Sequence, residues 1–221
     1  MATVVVAHSP TPSRVKTKAS LNGDGKRALV ADYTVALQVI DISTPTAPVA
    51  VGTYETSSFS TSYGVAISSD GKTAYVAANS LGLQIIDIST PSDPSLLVTV
   101  PTSGYARDVA ISSDGNTAYV ADYHAGLLII DISTPSVPTH LVTHDTIGNA
   151  EEIILSGDGN TAYIADDNAG LQIIDISTPS NPFRLGGYDT SGYARDVAIS
   201  SDGNTAYVAD GSAGLQIIDI S

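Results

Sequence analysis

Carboxylates dominate the chemistry open to this sequence. Glu151 and Glu152 are adjacent, Asp166 and Asp167 follow, and Arg107-Asp108 and Arg195-Asp196 repeat one cation–carboxylate pair. Arginine forks fit carboxylates, so Arg107 and Arg195 can tie neighbouring elements together through Asp side chains. Hard cations need several oxygen ligands, which Asp166, Asp167, Glu151 and Glu152 could offer, although no compact calcium loop is present. A carboxylate pair can also act as general acid and base on a glycosidic bond, a role open to Glu151 or Glu152 with Asp166. Other catalytic signatures are missing. There is no Cys, no G-x-S-x-G elbow and no H-E-x-x-H, and His8, His124, His140 and His144 are scattered. No catalytic residue, resident metal or cofactor is assigned.

The elements that position these residues repeat. Ser191 to Asp210 reads SGYARDVAISSDGNTAYVAD, and the same letters occupy Ser103 to Asp122. Asp-Gly pairs stand at Asp24, Asp70, Asp114, Asp158 and Asp202, spaced by 46 and then three times by 44 residues. A second Asp keeps step at Asp41, Asp87, Asp131, Asp175 and Asp219. A period in the forties with only short apolar runs suits a four-stranded propeller blade.

The third repeat gives the pattern. Residues 107–112 alternate and form strand a, Ser113-Asp114-Gly115-Asn116 is a tight hairpin, and residues 117–122 form strand b. The near-continuous apolar run 127–132 is strand c, buried on both faces. Prolines 135 and 138 turn the chain into a weaker, more polar edge strand d at residues 141–144. No segment has a helical apolar period. The expectation is an all-β, five-bladed propeller of four-stranded antiparallel blades in a single domain, residues 1–221. Blade 1 spans about 14–58, blade 2 about 59–102, blade 3 about 103–146, blade 4 about 147–190 and blade 5 about 191–221. The fifth repeat lacks a strand d, and Thr3–Ala7 is expected to pair in that blade and close the ring.

Charge narrows the partners. The net charge is -14 and the pI about 4.2, so phosphate backbones and anionic membranes are repelled. Five of the nine basic residues, Arg14, Lys16, Lys18, Lys26 and Arg27, fall in the first repeat. No apolar stretch approaches a membrane span, and the run from Val4 to Ala7 is too short for a signal peptide. A monomer is expected, with no nucleic-acid partner and no membrane insertion.

The phrases LQVIDIS, LLIIDIS and LQIIDIS, the TPSxP turn after them and GYARDVAIS…DG…AYVAD before them resemble LVIVD repeats. The resemblance covers nearly the whole chain and is poorest in the first repeat. It implies a β-propeller of the kind found in bacterial and archaeal surface or secreted proteins, and hence an extracellular or cell-surface location. It carries no catalytic residue.

Residues repeated in every blade serve the blade. The hairpin aspartates fit local turn roles, and Asp41, Asp87, Asp131, Asp175 and Asp219 must find backbone N–H partners in the following turn or the neighbouring blade. Tyr75, Tyr119, Tyr163 and Tyr207 read as packing between blades. Function belongs where the repeats differ, at the strand a starts and b–c loops, which share one end of the disc. There the candidate ligand-binding residues are Tyr33, Tyr63, Arg107, Asp108, Tyr123, Glu151, Glu152, Asp166, Arg195 and Asp196, joined by Lys18. The expected function is a non-enzymatic binding or scaffold module taking a protein or glycan at this mouth. The alternatives are a carboxylate-based glycoside hydrolase and a minimal or engineered propeller with no ligand.

Overall fold

A computed structural model describes residues 18–32, 36–56 and 61–221. Its strands follow the repeats. The first sheet contains β1 (Ala19–Leu21), β2 (Arg27–Asp32), β3 (Ala36–Asp41) and β4 (Val49–Tyr54), and the second β5 (Gly64–Ile67), β6 (Thr73–Ala77), β7 (Leu83–Asp87) and β8 (Ser95–Val100). The third contains β9 (Asp108–Ile111), β10 (Thr117–Ala121), β11 (Leu127–Asp131) and β12 (Thr139–His144). The fourth contains β13 (Glu152–Leu155), β14 (Thr161–Ala165), β15 (Leu171–Asp175) and β16 (Phe183–Tyr188). The fifth has three strands among the described residues, β17 (Asp196–Ile199), β18 (Thr205–Ala209) and β19 (Leu215–Asp219). Each sheet is an antiparallel meander in chain order.

The a–b hairpins are built from side-chain oxygens. In the third blade Asp114 Oδ1 accepts from the Ser112 hydroxyl at 2.6 Å and from the Asn116 N–H at 3.0 Å, while the Thr117 N–H donates to Ser112 Oγ at 2.9 Å. Gly115 takes φ 77°, a left-handed conformation that glycine adopts without a Cβ clash. The first repeat reaches the same turn by another route, with Asn22 Oδ1 accepting from the N–H groups of Lys26 and Arg27. The second set of aspartates caps the turn after strand c, as Asp131 does by accepting from the Ser133 N–H at 2.8 Å. These carboxylates lie at the solvated rim, not inside the apolar layer. Their turn partners are the ones expected.

Successive sheets pack face to face, the innermost strands in the order β1, β5, β9, β13, β17. Between blades 2 and 3, Tyr75, Ala77, Leu83 and Ile85 meet Ala106, Val109, Ala118, Val120 and Ile130. Each fully buried Leu or Ile here is worth about 1.5–3 kcal/mol in removed apolar surface. The outer strands β4, β8, β12 and β16 are largely exposed, as edges should be. Each is joined to its strand c across a one-residue register shift, as between Ile129 and Ile130. Such a bulge increases the local twist.

The ring is not closed among the described residues. Thr3–Ala7 lies outside them. The fifth blade has no packing onto the first comparable to that between its predecessors. Tyr207 is 39% exposed, whereas Tyr75 and Tyr119 are buried at 1% and 2%.

Candidate functional site

The strand a starts and b–c loops share one end of the assembly, and main-chain bonds fix them there. Arg107 N–H donates to Ala121 O at 2.8 Å, Glu151 N–H to Ala165 O at 2.8 Å and Arg195 N–H to Ala209 O at 2.9 Å, which lengthens each a–b ladder by one residue. The b–c loops are stitched to the next blade by a second device. Asn79, Tyr123 and Asp167 hold positive φ of 50°, 47° and 49°. Each exchanges two backbone hydrogen bonds with an alanine of the following blade, Ala106, Ala150 and Ala194 respectively. A non-glycine residue in this conformation costs roughly 1–2 kcal/mol, so these paired bonds hold a strained backbone in place.

The side chains so presented enclose a pocket of about 90 Å³ lined by Lys18, Tyr63, Arg107, Asp108, Glu151, Glu152 and Asp196. Lys18 crosses from the first blade. Its Nζ lies 2.7 Å from Asp108 Oδ2 and 3.4 Å from Glu152 Oε1. Burial alone would lower the lysine pKa, but the Asp108 and Glu152 charges outweigh it and raise the value. Asp108 Oδ2 also accepts from the Ile153 N–H at 3.2 Å, while its Oδ1 is buried without a partner. Room for Asp108 comes from Gly64, which occupies the corresponding position in the second blade. A Cβ on Gly64 would lie 2.7 Å from the Asp108 Cα and overlap Oδ1.

Across the pocket Arg195 is ion-paired to Glu151 and lies 3.3 Å from Asp167 Oδ1. Arg107 differs. Its guanidinium carbon sits 4.5 Å from the Tyr63 ring centre and 4.7 Å from that of Tyr123, and it has no carboxylate partner among the described residues. Its Nε is buried with no acceptor. Beyond Tyr123 lie Tyr105, tilted by 49° with ring centres 6.2 Å apart, and His124, edge-on at 6.0 Å.

Of the residues expected at the mouth, the structure brings together Tyr63, Arg107, Asp108, Tyr123, Glu151, Glu152, Arg195 and Asp196. Tyr33 lies outside the described residues. Asp166 points elsewhere. It is fully buried, with Thr146 Oγ1 donating to Oδ1 at 2.7 Å and the Gly148 N–H to Oδ2 at 2.8 Å. Asp122 and Asp210 bind Gly104 and Gly192 in the same way. These strand b carboxylates brace the loop entering the blade, so a general acid–base pair with Asp166 has no geometric basis. Nor do Asp166, Asp167, Glu151 and Glu152 converge, since no cluster of three or more metal-ligating side chains occurs among the described residues. Burial, partly offset by these hydrogen bonds, pushes the Asp166 pKa up to about 6. Sequence reasoning missed Tyr105 and His124. His124 stands in a b–c loop that differs between blades, whereas Tyr105 lies in letters that blade 5 repeats as Tyr193.

Radially packed four-stranded meanders with a polar pocket at the inner strand starts define a β-propeller assembly. The LVIVD repeat family matches residues 23–56, 63–102, 103–146, 147–190 and 191–221, and the chain belongs to that family. No curated protein sequence matches it. Among solved structures it is similar to the periplasmic gluconolactonase of Pseudomonas aeruginosa, at 19% identity and TM-score 0.79, over 92% of this chain and 65% of that one. A protein from Lactobacillus plantarum gives 16% identity and TM-score 0.79 over 92% and 66% of the two chains. The Cps50 (Swd1) β-propeller domain of Myceliophteria thermophila gives 14% identity and TM-score 0.72 over 96% and 68%. Identities this low establish the fold alone. The chain spans about two thirds of the length of these structures.

Proposed function

We propose that the protein is a non-enzymatic binding module whose mouth recognises the end group of a polyhydroxylated ligand such as a glycan terminus. The observation that carries this reading is the Arg107 guanidinium, held between Tyr63 and Tyr123 with no carboxylate partner among the described residues and a buried, unsatisfied Nε. Arg107 lines the pocket with its guanidinium stacked and not ion-paired among the described residues, which leaves that cation able to donate to an acceptor oxygen of a ligand. The carboxylates around it, Asp108, Glu151, Glu152 and Asp196, accept from hydroxyl groups. The tyrosine faces suit the apolar side of a sugar ring. At about 90 Å³ the pocket is far smaller than the roughly 300–1,000 Å³ of sites that engulf a whole ligand, so it suits an end group.

A hydrolytic reading is favoured by one observation, the structural similarity to a gluconolactonase. In that reaction water adds to the lactone carbonyl, the ring C–O bond breaks and a hydroxy acid forms. The side chains favour binding instead. Glu151 is tied to Arg195 and Glu152 to Lys18, so each candidate base already carries a cation. A glycan array with a glucono-δ-lactone hydrolysis assay separates the readings. Binding lost in Arg107→Ala without turnover supports the module. Turnover abolished by Glu152→Gln overturns it, and absence of both binding and turnover overturns both.

A further inference from the structure

Beside the mouth pocket, blade 3 carries three rings in mutual contact. Tyr123 meets the pocket-lining Arg107 at 4.7 Å and also contacts Tyr105 and His124. Tyr105 and His124 pack edge to face with ring centres 5.3 Å apart. Tyr123 is half-buried, whereas His124 is exposed and Tyr105 is 42% exposed. The backbone beneath the rings is fixed. Gly104 N–H donates to Asp122 Oδ2 at 2.8 Å and Ala106 N–H to Asn79 O at 3.1 Å, so Tyr105 stands between two anchored residues. Tyr123 N–H donates to Ala150 O at 3.1 Å. The equivalents of Tyr105 and Tyr123 in blade 4 are Asn149 and Asp167, which hydrogen-bond to each other at 3.1 Å. In blade 5 they are Tyr193 and Gly211, and the loop Gly211-Ser212 offers no ring.

We propose that Tyr105 and His124 form a second subsite, which takes the next unit of an oligosaccharide whose end group occupies the pocket. This rests on the end-group reading above. A pocket of about 90 Å³ leaves every further unit of a chain outside it, and the ring cluster adjoins it through Tyr123 and Arg107. An exposed ring with a hydroxyl or imidazole nitrogen at its edge matches a sugar unit, which is apolar on one face and hydroxylated around its rim. Because the backbone under both rings is held before a ligand arrives, binding orders little chain. The net charge of -14 repels polyanionic glycans, so the units are neutral sugars.

Calorimetric titration of the full chain with one-, two- and three-unit ligands built from glucose, galactose, mannose or N-acetylglucosamine tests this. For the sugar that binds, the disaccharide should bind roughly fivefold tighter than the monosaccharide, and a third unit should add little. Tyr105→Ala and His124→Ala should abolish this gain with length. Tyr193→Ala, at the same letters of blade 5, should retain it. The melting temperature should move little in all three variants, whose side chains are exposed. In NMR spectra the His124 imidazole signal, assigned by its loss in His124→Gln, should shift with the disaccharide and not with the monosaccharide. Monosaccharide binding without a gain from the second unit overturns the subsite and leaves the end-group reading standing. A gain that survives Tyr105→Ala and His124→Ala puts the second unit elsewhere and overturns the subsite as well. Absence of binding by every one of these ligands overturns both.

Discussion

Lys18 of the first blade and Asp108 of the third lie 90 positions apart in sequence and meet at 2.7 Å across the mouth. Glu152 of the fourth blade stands 3.4 Å from the same ammonium. One lysine thus joins three blades at their inner strands, where burial disfavours lone charges and their contact compensates.

Removing that lysine takes from Asp108, which is 2% exposed, its ion-pair partner among the described residues and leaves it facing Glu152. Lys18→Met is expected to destabilise the protein by about 2 kcal/mol, below the roughly 3–5 kcal/mol of a fully buried pair because the lysine side chain is 36% exposed. Chemical denaturation measures this, and in an Asp108→Asn background the same substitution should cost much less.

Arg107 predicts the opposite separation of stability and binding. Its two ring contacts are each worth only about 0.5–1 kcal/mol at a partly exposed site, so Arg107→Ala should fold with a small loss. Arg107→Lys keeps the charge but loses the planar fork and the stacking. Both variants should lose ligand affinity at least about tenfold in calorimetric titration while thermal unfolding moves little. A lysine variant with full affinity would show that charge alone suffices.

Asp166 gives a pH dependence whose sign is fixed. Burial raises its folded pKa to about 6 from an ordinary value of 3.8. Between those values the folded state retains a proton that the unfolded chain has released. The stabilisation is therefore full below pH 3.8 and is lost as pH rises through about 6. Unfolding free energies measured across this range should fall more steeply with pH in the wild type than in Asp166→Asn. Parallel curves would mean that the carboxylate titrates normally.

Gly64 tests the shape of the pocket. In Gly64→Ala the new methyl would overlap the Asp108 backbone and carboxylate. Displacing them should cost about 1–3 kcal/mol, as overpacking does, and should weaken the Lys18 contact and ligand binding together. A crystal structure of the variant with Asp108 unmoved would contradict this.

Much of the blade was legible because its determinants are local. Ser112 and Asp114 build a hairpin from residues within a few positions of each other, and the run Leu127 to Ile130 is buried on both faces as its letters imply. The mouth was legible in membership, since Arg107, Glu151 and Arg195 hold equivalent places before strand a. Partner choice was not. Arg107 and Arg195 share the same local letters, yet one stacks between Tyr63 and Tyr123 and the other binds Glu151. The difference comes from the preceding blade, which offers a tyrosine in one case and a glutamate in the other. Asp166 was misplaced for a related reason. Alternation along strand b sets the face on which a side chain emerges, but the Thr146 and Gly148 that capture it arrive from a loop whose path the sequence does not reveal.

The main-chain stitch at Asn79, Tyr123 and Asp167 separates assembly from display. Because amide and carbonyl groups make the join, asparagine, tyrosine and aspartate serve it equally. Such a site can drift in identity while the architecture stays fixed, provided that β-branched residues, which resist this dihedral, are avoided. Randomising these three places together would yield a family of differently shaped mouths on an unchanged frame.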